Sequence, residues 1–193
     1  DPSIEKPAIF EYVYAVLHDL AYRETYALNL KAAFPRIPFY ADFQPWAAWG
    51  KALLELHTGF ESTEPWPLVR KETPATAEQP STALPKPRLK ADHAAGVIEL
   101  DSMTRLEGVP PEAWDYRLGN RSALDWILEE YQEATPRDPT LRDQFNAYRF
   151  ADYKEAVLDL LGRVTRVSVE TMQILRAMGS AVPESRDLAD AGR

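Results

Sequence analysis

The chain has 193 residues, 45% of them apolar and 27% charged, with a formal net charge of −8. That length suits one domain, or one and a bit, with a core of its own. With no cysteine there is no disulfide, thiolate zinc site or cysteine nucleophile, which fits a reducing cytoplasm, and no apolar run is long enough to span a bilayer. The start carries no signal-peptide pattern, and because it is Asp1 rather than Met, a piece of a longer polypeptide is expected.

Pro7 suits the first position of a helix, and Ile9, Phe10, Val13, Val16, Leu17 and Leu20 recur behind it at helical spacing. A second helix is expected over 22–34, with Tyr22, Tyr26, Leu30 and Phe34 on one stripe. The two prolines of 35–39 stop it. Asp42 is the expected N-cap of a third helix that runs through Trp46, Trp49, Leu53 and Leu56 to about Gly59. These helices make an N-terminal helical block, 1–60. Six of the sixteen prolines then fall in 61–90, among Thr, Ser, Glu and Ala. Such a stretch buries too little apolar surface to offset its ordering entropy. It reads as a proline-rich loop or linker, centred on 72–84, with order regained at 86–90. Trp66, between two prolines, reads as an anchor of that loop or a contact for a partner.

The core region, 91–178, begins with Val97, Ile98 and Leu100, a turn at Asp101 and Ser102, then Met103, Thr104 and Leu106: a hairpin. Trp114, Tyr116 and Leu118 alternate with Asp115 and Arg117, the period of a half-buried strand. Joined to the hairpin, this strand gives a small antiparallel sheet of about three strands. Gly119 breaks it, and Asn120 or Ser122 can cap a helix over 121–134 with Ala123, Leu124, Ile127, Leu128 and Tyr131 on one face. Arg117, Asn120, Arg121 and Ser122 in that turn either cap the helix or touch a ligand; capping is the simpler reading. Leu141 and Phe145 suggest a short helical stretch. Tyr153, Val157, Leu160, Leu161, Val164, Val167, Thr171, Met172 and Leu175 then form one long helix or two in series, with a break expected in the β-branched run 164–169. From Gly179 a frayed tail, 179–193, is expected. The fold class is α+β, mostly α: helical block, small antiparallel sheet, C-terminal helices.

His18, His57 and His93 stand apart in sequence, outside any metal-ligand spacing. His18 and His57 fall near helix C-termini, where the dipole favours an imidazole. Glu99, Asp101, Glu107, Glu112 and Asp115 resemble a magnesium-binding set only loosely, because no lysine sits on a neighbouring strand in the way such a site needs; a solvated sheet edge is the simpler reading. There is no GxSxG elbow and no glycine-rich phosphate loop. No catalytic or metal residue is expected.

A net charge of −8 argues against a nucleic-acid protein, but the charge is uneven. Residues 96–135 carry three basic and nine acidic side chains, while 136–178 carry seven and six. Local potential matters more to association than net charge. Lys86, Arg88 and Lys90 cluster, as do Arg163 and Arg166, and Arg142, Asn146, Tyr148 and Arg149 share a polar turn. Arg and Asn read guanine and adenine edges, and they are also ordinary loop residues.

Three blocks carry a resemblance: IFEYVYAVLHDLAYRETYALNLKAAFPRIPFY (9–40), YRLGNRSALDWILEEY (116–131) and YRFADYKEAVLDLLGRVTRVSVETMQI (148–174). In this order and spacing they resemble the C-terminal specificity region of single-polypeptide Type ISP restriction–modification enzymes. The first two are also similar to the target-recognition region of related fused restriction–methylation enzymes. The resemblance covers most of 7–178. It implies a parent chain with a nuclease, a superfamily 2 helicase motor and an adenine methyltransferase ahead of this region. The implied role is recognition of an asymmetric duplex DNA target, so that the methyltransferase can flip and methylate one adenine and the motor can translocate before cleavage. S-adenosylmethionine, ATP and Mg are then cofactors of the parent. None of those catalytic motifs lies in this chain, which makes it the reader and not an enzyme.

By the same resemblance, 1–60 abuts the methyltransferase domain, and Arg117, Asn120 and Arg121 position phosphates. Base readers are expected on 86–92, 101–108 and 137–149. The expected DNA-binding set is therefore Lys86, Arg88, Lys90, Arg105, Arg117, Asn120, Arg121, Arg142, Asn146 and Arg149. The implied partners are double-stranded DNA and the methyltransferase domain of the same chain, in the cytoplasm, with no membrane. Since other domains would share phosphate neutralisation, the fragment alone should bind DNA weakly, with a shallow salt slope. The rival reading is a protein–protein docking module that couples methyltransferase to motor.

Overall fold

A computed structural model describes residues 4–40, 42–73, 85–133 and 148–181. The expected helical stretch at Leu141 and Phe145, most of the 72–84 loop, and the tail beyond Ala181 lie outside them. The chain forms two compact units, Asp1–Phe60 with Glu170–Arg193, and Glu61–Val169. Residues 61–90 fall in the sheet-containing unit, and the end of the last helix falls in the unit of the N-terminal helices.

The first unit contains α1 (Lys6–His18), α2 (Leu20–Thr25), α3 (Asn29–Ala32) and α4 (Phe43–Thr58). Pro7 lies in the first turn of α1, where a missing N–H leaves no bond unmade. Asp19 ends α1 and caps α2, its carboxylate accepting the N–H groups of Ala21 and Tyr22, both at 3.3 Å. α1 packs on α4, with Tyr12, Ala15, Val16, Trp46, Ala47 and Leu53 buried. Gly50 allows that approach: a Cβ there would lie 1.7 Å from the Glu11 carbonyl oxygen. The Tyr12 hydroxyl donates to the Pro38 carbonyl at 2.7 Å and accepts from the Tyr40 N–H at 2.8 Å, which pins the extended segment ahead of α4.

The single helix expected over 22–34 is two short ones. Of its stripe only Tyr22 is buried, while Leu28 and Phe34, along the same stretch, are 80% and 96% exposed. Without a buried face a helix this short lacks the packing that would hold it. α4 begins where expected, but Asp42 makes no side-chain cap bond.

The second unit is built on a four-stranded antiparallel sheet of β1 (Val69–Glu72), β2 (Pro87–Asp92), β3 (Val97–Asp101) and β4 (Thr104–Glu107), in the order β1-β4-β3-β2. The β3–β4 hairpin is the expected one, its turn held by Asp101 Oδ1, which accepts the N–H groups of Met103 and Thr104, both at 2.8 Å. β1 lies inside the stretch expected to be loop. All four of its residues are exposed, so it has no hydrophobic alternation to betray it and joins the sheet through its backbone on β4.

After β4 come α5 (Pro111–Asp115), β5 (Arg117–Leu118), β6 (Arg121–Ser122), α6 (Ala123–Glu130) and α7 (Phe150–Ala181). The strand expected over 114–118 is corrected here. Pro111 in the first turn starts a helix instead, and adjacent Ala113 and Trp114 are both buried, against strand alternation. Leu118 is 48% exposed, and β5 pairs only with β6, in a ladder separate from the main sheet. The sheet packs its inner face on Trp114, Leu124, Leu128, Phe150, Val157 and Leu161.

α7 is unbroken through 164–169 and continues past Gly179. β-Branching costs a helix about 0.5 kcal/mol per residue, whereas burying a valine is worth about 1.5 kcal/mol or more. Val167 and Val169 are buried, and the buried Thr165 hydroxyl donates to the Leu161 carbonyl at 2.7 Å. Packing outweighs propensity.

Candidate nucleic-acid interface

The register of the sheet decides which side chains share a face. Lys71 stands opposite Arg105, Arg105 opposite Glu99 and Glu99 opposite Lys90, so one row crosses all four strands. The neighbouring row of Arg70, Leu106, Ile98 and Ala91 points the other way and carries Leu106 and Ile98 into the core. The first row is therefore the outward face, with Lys71, Arg105 and Lys90 exposed. Strand spacing puts Lys71 and Lys90 roughly 14 Å apart at the backbone.

A bulge lies between Pro87 and Lys90, where Leu89 is held at φ 42° with its side chain buried. A bulky residue at positive φ stores about 1 kcal/mol or more of strain. Anchoring Leu89 inward turns Arg88 and Lys90 out to solvent. Arg88 Nη1 donates to Glu99 Oε2 at 3.1 Å, and Arg105 Nη2 reaches Glu107 Oε1 at 2.7 Å. Exposed pairs of this kind contribute about 0–1 kcal/mol, so they do not hold the sheet together. Among the described residues the ammonium groups of Lys71, Lys86 and Lys90 have no partner.

Arg117, Asn120 and Arg121 stand on the β5–β6 hairpin. Its two-residue turn places Gly119 first, at φ 73°, the position of a type II′ turn that glycine fills without strain. Arg117 and Asn120 are exposed and have no side-chain partner among the described residues. Arg121 pairs with Glu129 and lies over the Trp126 ring, 5.6 Å from its centroid. The hairpin is braced from behind. Trp126 Nε1 donates to the Leu118 carbonyl at 3.0 Å, and Ser122 and Asp125 form a capping box at the start of α6. Asp125 also takes His93 Nε2 at 2.9 Å, and the His93 ring stacks on Trp114 at 4.2 Å. Burial alone would raise the Asp125 carboxyl, but Ser122 and His93 hold it below the usual range.

Of the remaining expected contacts, Arg142 and Asn146 lie outside the described residues. Arg149 is exposed just ahead of α7, with Nη1 donating to the Tyr148 carbonyl at 2.8 Å. The cluster of Arg163 and Arg166 proves structural: these side chains bind the backbone carbonyls of Glu61, Thr63, Glu64 and Pro65. Arg166 also lies over Trp66, whose N–H donates to the Gly162 carbonyl at 2.9 Å, so Trp66 anchors its segment on α7.

Asp101 is no solvated edge residue. Its Oδ2 pairs with Lys154 Nζ at 2.9 Å, the cation coming from α7 and not from a neighbouring strand. Lys154 also donates to Thr104 Oγ1, which donates to Glu72 Oε2 at 2.8 Å. Arg70 then joins Glu72 at 2.6 Å and Glu155 at 2.9 Å. This chain of polar contacts fixes β1 and the β3–β4 turn against the first turns of α7. Lys71, Glu99 and Lys154 are the residues that reading the sequence left out of the candidate set. Lys71 was hidden by its featureless edge strand, and Lys154 by its distance along the chain from its partners.

In the first unit His18 and His57, far apart in sequence, have ring centroids 5.3 Å apart. His57 is hydrogen-bonded through Nδ1 to the Tyr14 hydroxyl at 2.8 Å and through Nε2 to Thr171 Oγ1 at 2.9 Å. Burial pushes His57 down to about 4, and the nearby His18 adds to that effect. Desolvation thus overrides the helix dipole that would favour an imidazolium. Among the described residues no group of three His, Asp or Glu side chains could hold a metal ion, and no helix is long and apolar enough to cross a membrane.

The family model of the Type ISP C-terminal specificity domain matches residues 1–160. No curated protein sequence matches the chain. The cryo-electron microscopy structure of the DrdV–DNA complex is similar, with 54% identity and a TM-score of 0.85 over 95% of this chain and 18% of that one. A nuclease-deletion mutant of the Type ISP restriction-modification enzyme LlaGI, in complex with a DNA substrate mimic, gives 27% identity and a TM-score of 0.68 over 94% of this chain and 14% of that one. The ATP-dependent Type ISP enzyme LlaBIII bound to DNA shares the fold, at 21% identity and a TM-score of 0.66 over 91% of this chain and 11% of that one. The chain thus spans less than a fifth of the length of each. With 1–160 of its 193 residues matched, the chain belongs to the Type ISP C-terminal specificity domain family.

Proposed function

We propose that this chain reads a short asymmetric duplex DNA target on behalf of a longer restriction–modification polypeptide. The observation that carries the reading is the outward sheet face, where Lys71 and Lys90, without partners among the described residues, accompany Arg88 and Arg105 on a four-stranded support, with the exposed Lys86 just ahead of β2. Free ammonium groups take phosphate oxygens and fix register, while guanidinium groups read guanine edges. Family membership and the relatives solved with DNA support it. We assign Lys86, Arg88, Lys90 and Arg105 on the sheet, and Arg117, Asn120 and Arg121 on the hairpin, as DNA contacts, with Arg142, Asn146 and Arg149 as further ones. The recognition core is 91–178, and β1 from the proline-rich segment adds an edge strand to its sheet.

Other domains of the parent then methylate one adenine with S-adenosylmethionine and drive ATP- and Mg-dependent translocation and cleavage in the cytoplasm. This chain does no chemistry of its own. The 1–60 block packs on the methyltransferase domain, and Phe34 and Phe39, 96% and 99% exposed, favour a docking role for that block. The test is fluorescence anisotropy of this chain on a mixed-sequence duplex at low salt. Lys71→Gln with Lys90→Gln should weaken binding about tenfold and flatten the salt slope by roughly 2. Unchanged binding would leave a protein–protein docking module that couples methyltransferase to motor as the better reading.

A further inference from the structure

Glu99 occupies the middle of the outward face, on the central strand β3, between Lys90 on one neighbour and Arg105 on the other. A surface that only held phosphate would have no use for a carboxylate there, since it repels the ligand it should attract. Nor does Glu99 stabilise the sheet appreciably, because its ion partner among the described residues, Arg88, is an exposed side chain. That pair occupies Oε2, and Oε1 has no partner among the described residues. The side chain is 46% exposed, so an acceptor with no partner among the described residues faces outward in the row between Lys90 and Arg105.

Resting on the reading above, we infer that Glu99 is a specificity-determining residue that accepts a hydrogen bond from an exocyclic base amino group in the major groove, with Arg88 aligning its carboxylate. The groups on a duplex that can donate to a carboxylate there are cytosine N4 and adenine N6, and cytosine N4 is the usual partner of Glu. β-Sheet readers place strands in the groove to present such side chains to the bases. Arg88, a guanidinium beside the carboxylate, is placed to take the O6 and N7 atoms of a guanine. Glu99 also weakens attraction to bare phosphate, so it separates the target from other DNA in two ways.

The experiment selects binding sites from randomised duplex DNA at low salt with the 193-residue chain and with Glu99→Ala and Glu99→Gln. Retained melting temperatures establish that each variant is folded. Glu99→Ala should lose the preference at one base pair, by about tenfold or more, while binding mixed-sequence DNA as tightly as the parent or tighter. Glu99→Gln should turn a cytosine preference at that position towards adenine, since an amide pairs with adenine in two bonds. The column that changes, cytosine or adenine, names the base contacted. An unchanged site in both variants, or weakening spread evenly over every position, overturns the inference alone. A parent chain that enriches no site overturns the proposed function and this inference together.

Discussion

Lys154 and Asp101 form a buried ion pair, Nζ to Oδ2 at 2.9 Å, with the carboxylate side chain only 3% exposed. Burial alone would raise the Asp101 carboxyl, but Lys154 and the N–H groups of Met103 and Thr104 hold it below the usual range. Lys154→Met leaves that carboxylate buried without its cation, and the expected loss of stability is about 3 kcal/mol by urea denaturation. Asp101 has a lowered folded pKa, so its contribution is complete above the unfolded value of about 3.9 and is lost as pH falls below it. In Lys154→Met the acid limb should move to higher pH. An acid limb in the same place would mean that the backbone donors, and not Lys154, govern this carboxylate.

His57 carries a pH dependence of its own in the other unit. Its folded pKa, about 4, lies below the ordinary value of 6.5. The folded state therefore prefers the neutral ring. Stability from this group is complete above about pH 6.5 and is lost as pH falls towards 4, by on the order of 2 kcal/mol after allowing for partial exposure. Thermal melts of His57→Gln should show a flatter stability profile between pH 6.5 and 4, whatever the variant's absolute stability. A slope equal to that of the parent would place the titration elsewhere.

Gly50 and Gly179 are both helical, yet they should respond in opposite directions to alanine. At Gly50 the added Cβ meets the Glu11 carbonyl oxygen at 1.7 Å, backbone that must move, and the expected destabilisation is about 3 kcal/mol. At Gly179 nothing lies within 4 Å, and the gain should be roughly 0.5 kcal/mol. Chemical denaturation of the two variants side by side checks the close crossing of α1 and α4.

The hairpin gives a different signature from the sheet. Arg117 is exposed and has no side-chain partner among the described residues, so Arg117→Ala should weaken binding to every duplex alike and lower the salt slope by about 1. Ser122→Ala removes the α6 capping box and should cost about 1 kcal/mol of stability. A change of preferred sequence in Arg117→Ala would make the hairpin a base reader rather than a positioning element.

Much of this architecture was legible in periodicity. α4, α6, the long final helix and the β3–β4 hairpin each carry a buried face long enough to mark the sequence. β1 left no mark, because all four of its residues are exposed and what holds it, backbone pairing with β4 and polar contacts of Arg70 and Glu72, leaves no hydrophobic pattern. Trp114 misled for the opposite reason: five residues that alternate like a strand are divided between a proline-started helical turn and a two-residue ladder. Of the candidate interface, the basic residues of β2 could be read from their clustering. The row that crosses four strands could not, since Lys71, Arg105, Glu99 and Lys90 meet only through register. The Lys154–Asp101 and His18–His57 partnerships were equally invisible, each joining residues from distant elements.

Sequence selection shows whether this chain distinguishes one duplex from another. Randomised duplex DNA is bound by the 193-residue chain at low salt, and the retained fraction is sequenced. The expected result is enrichment of one short asymmetric site containing an adenine, held weakly and with a shallow salt slope. Binding without enrichment, or no binding at a salt concentration where the lysine face should act, would contradict it.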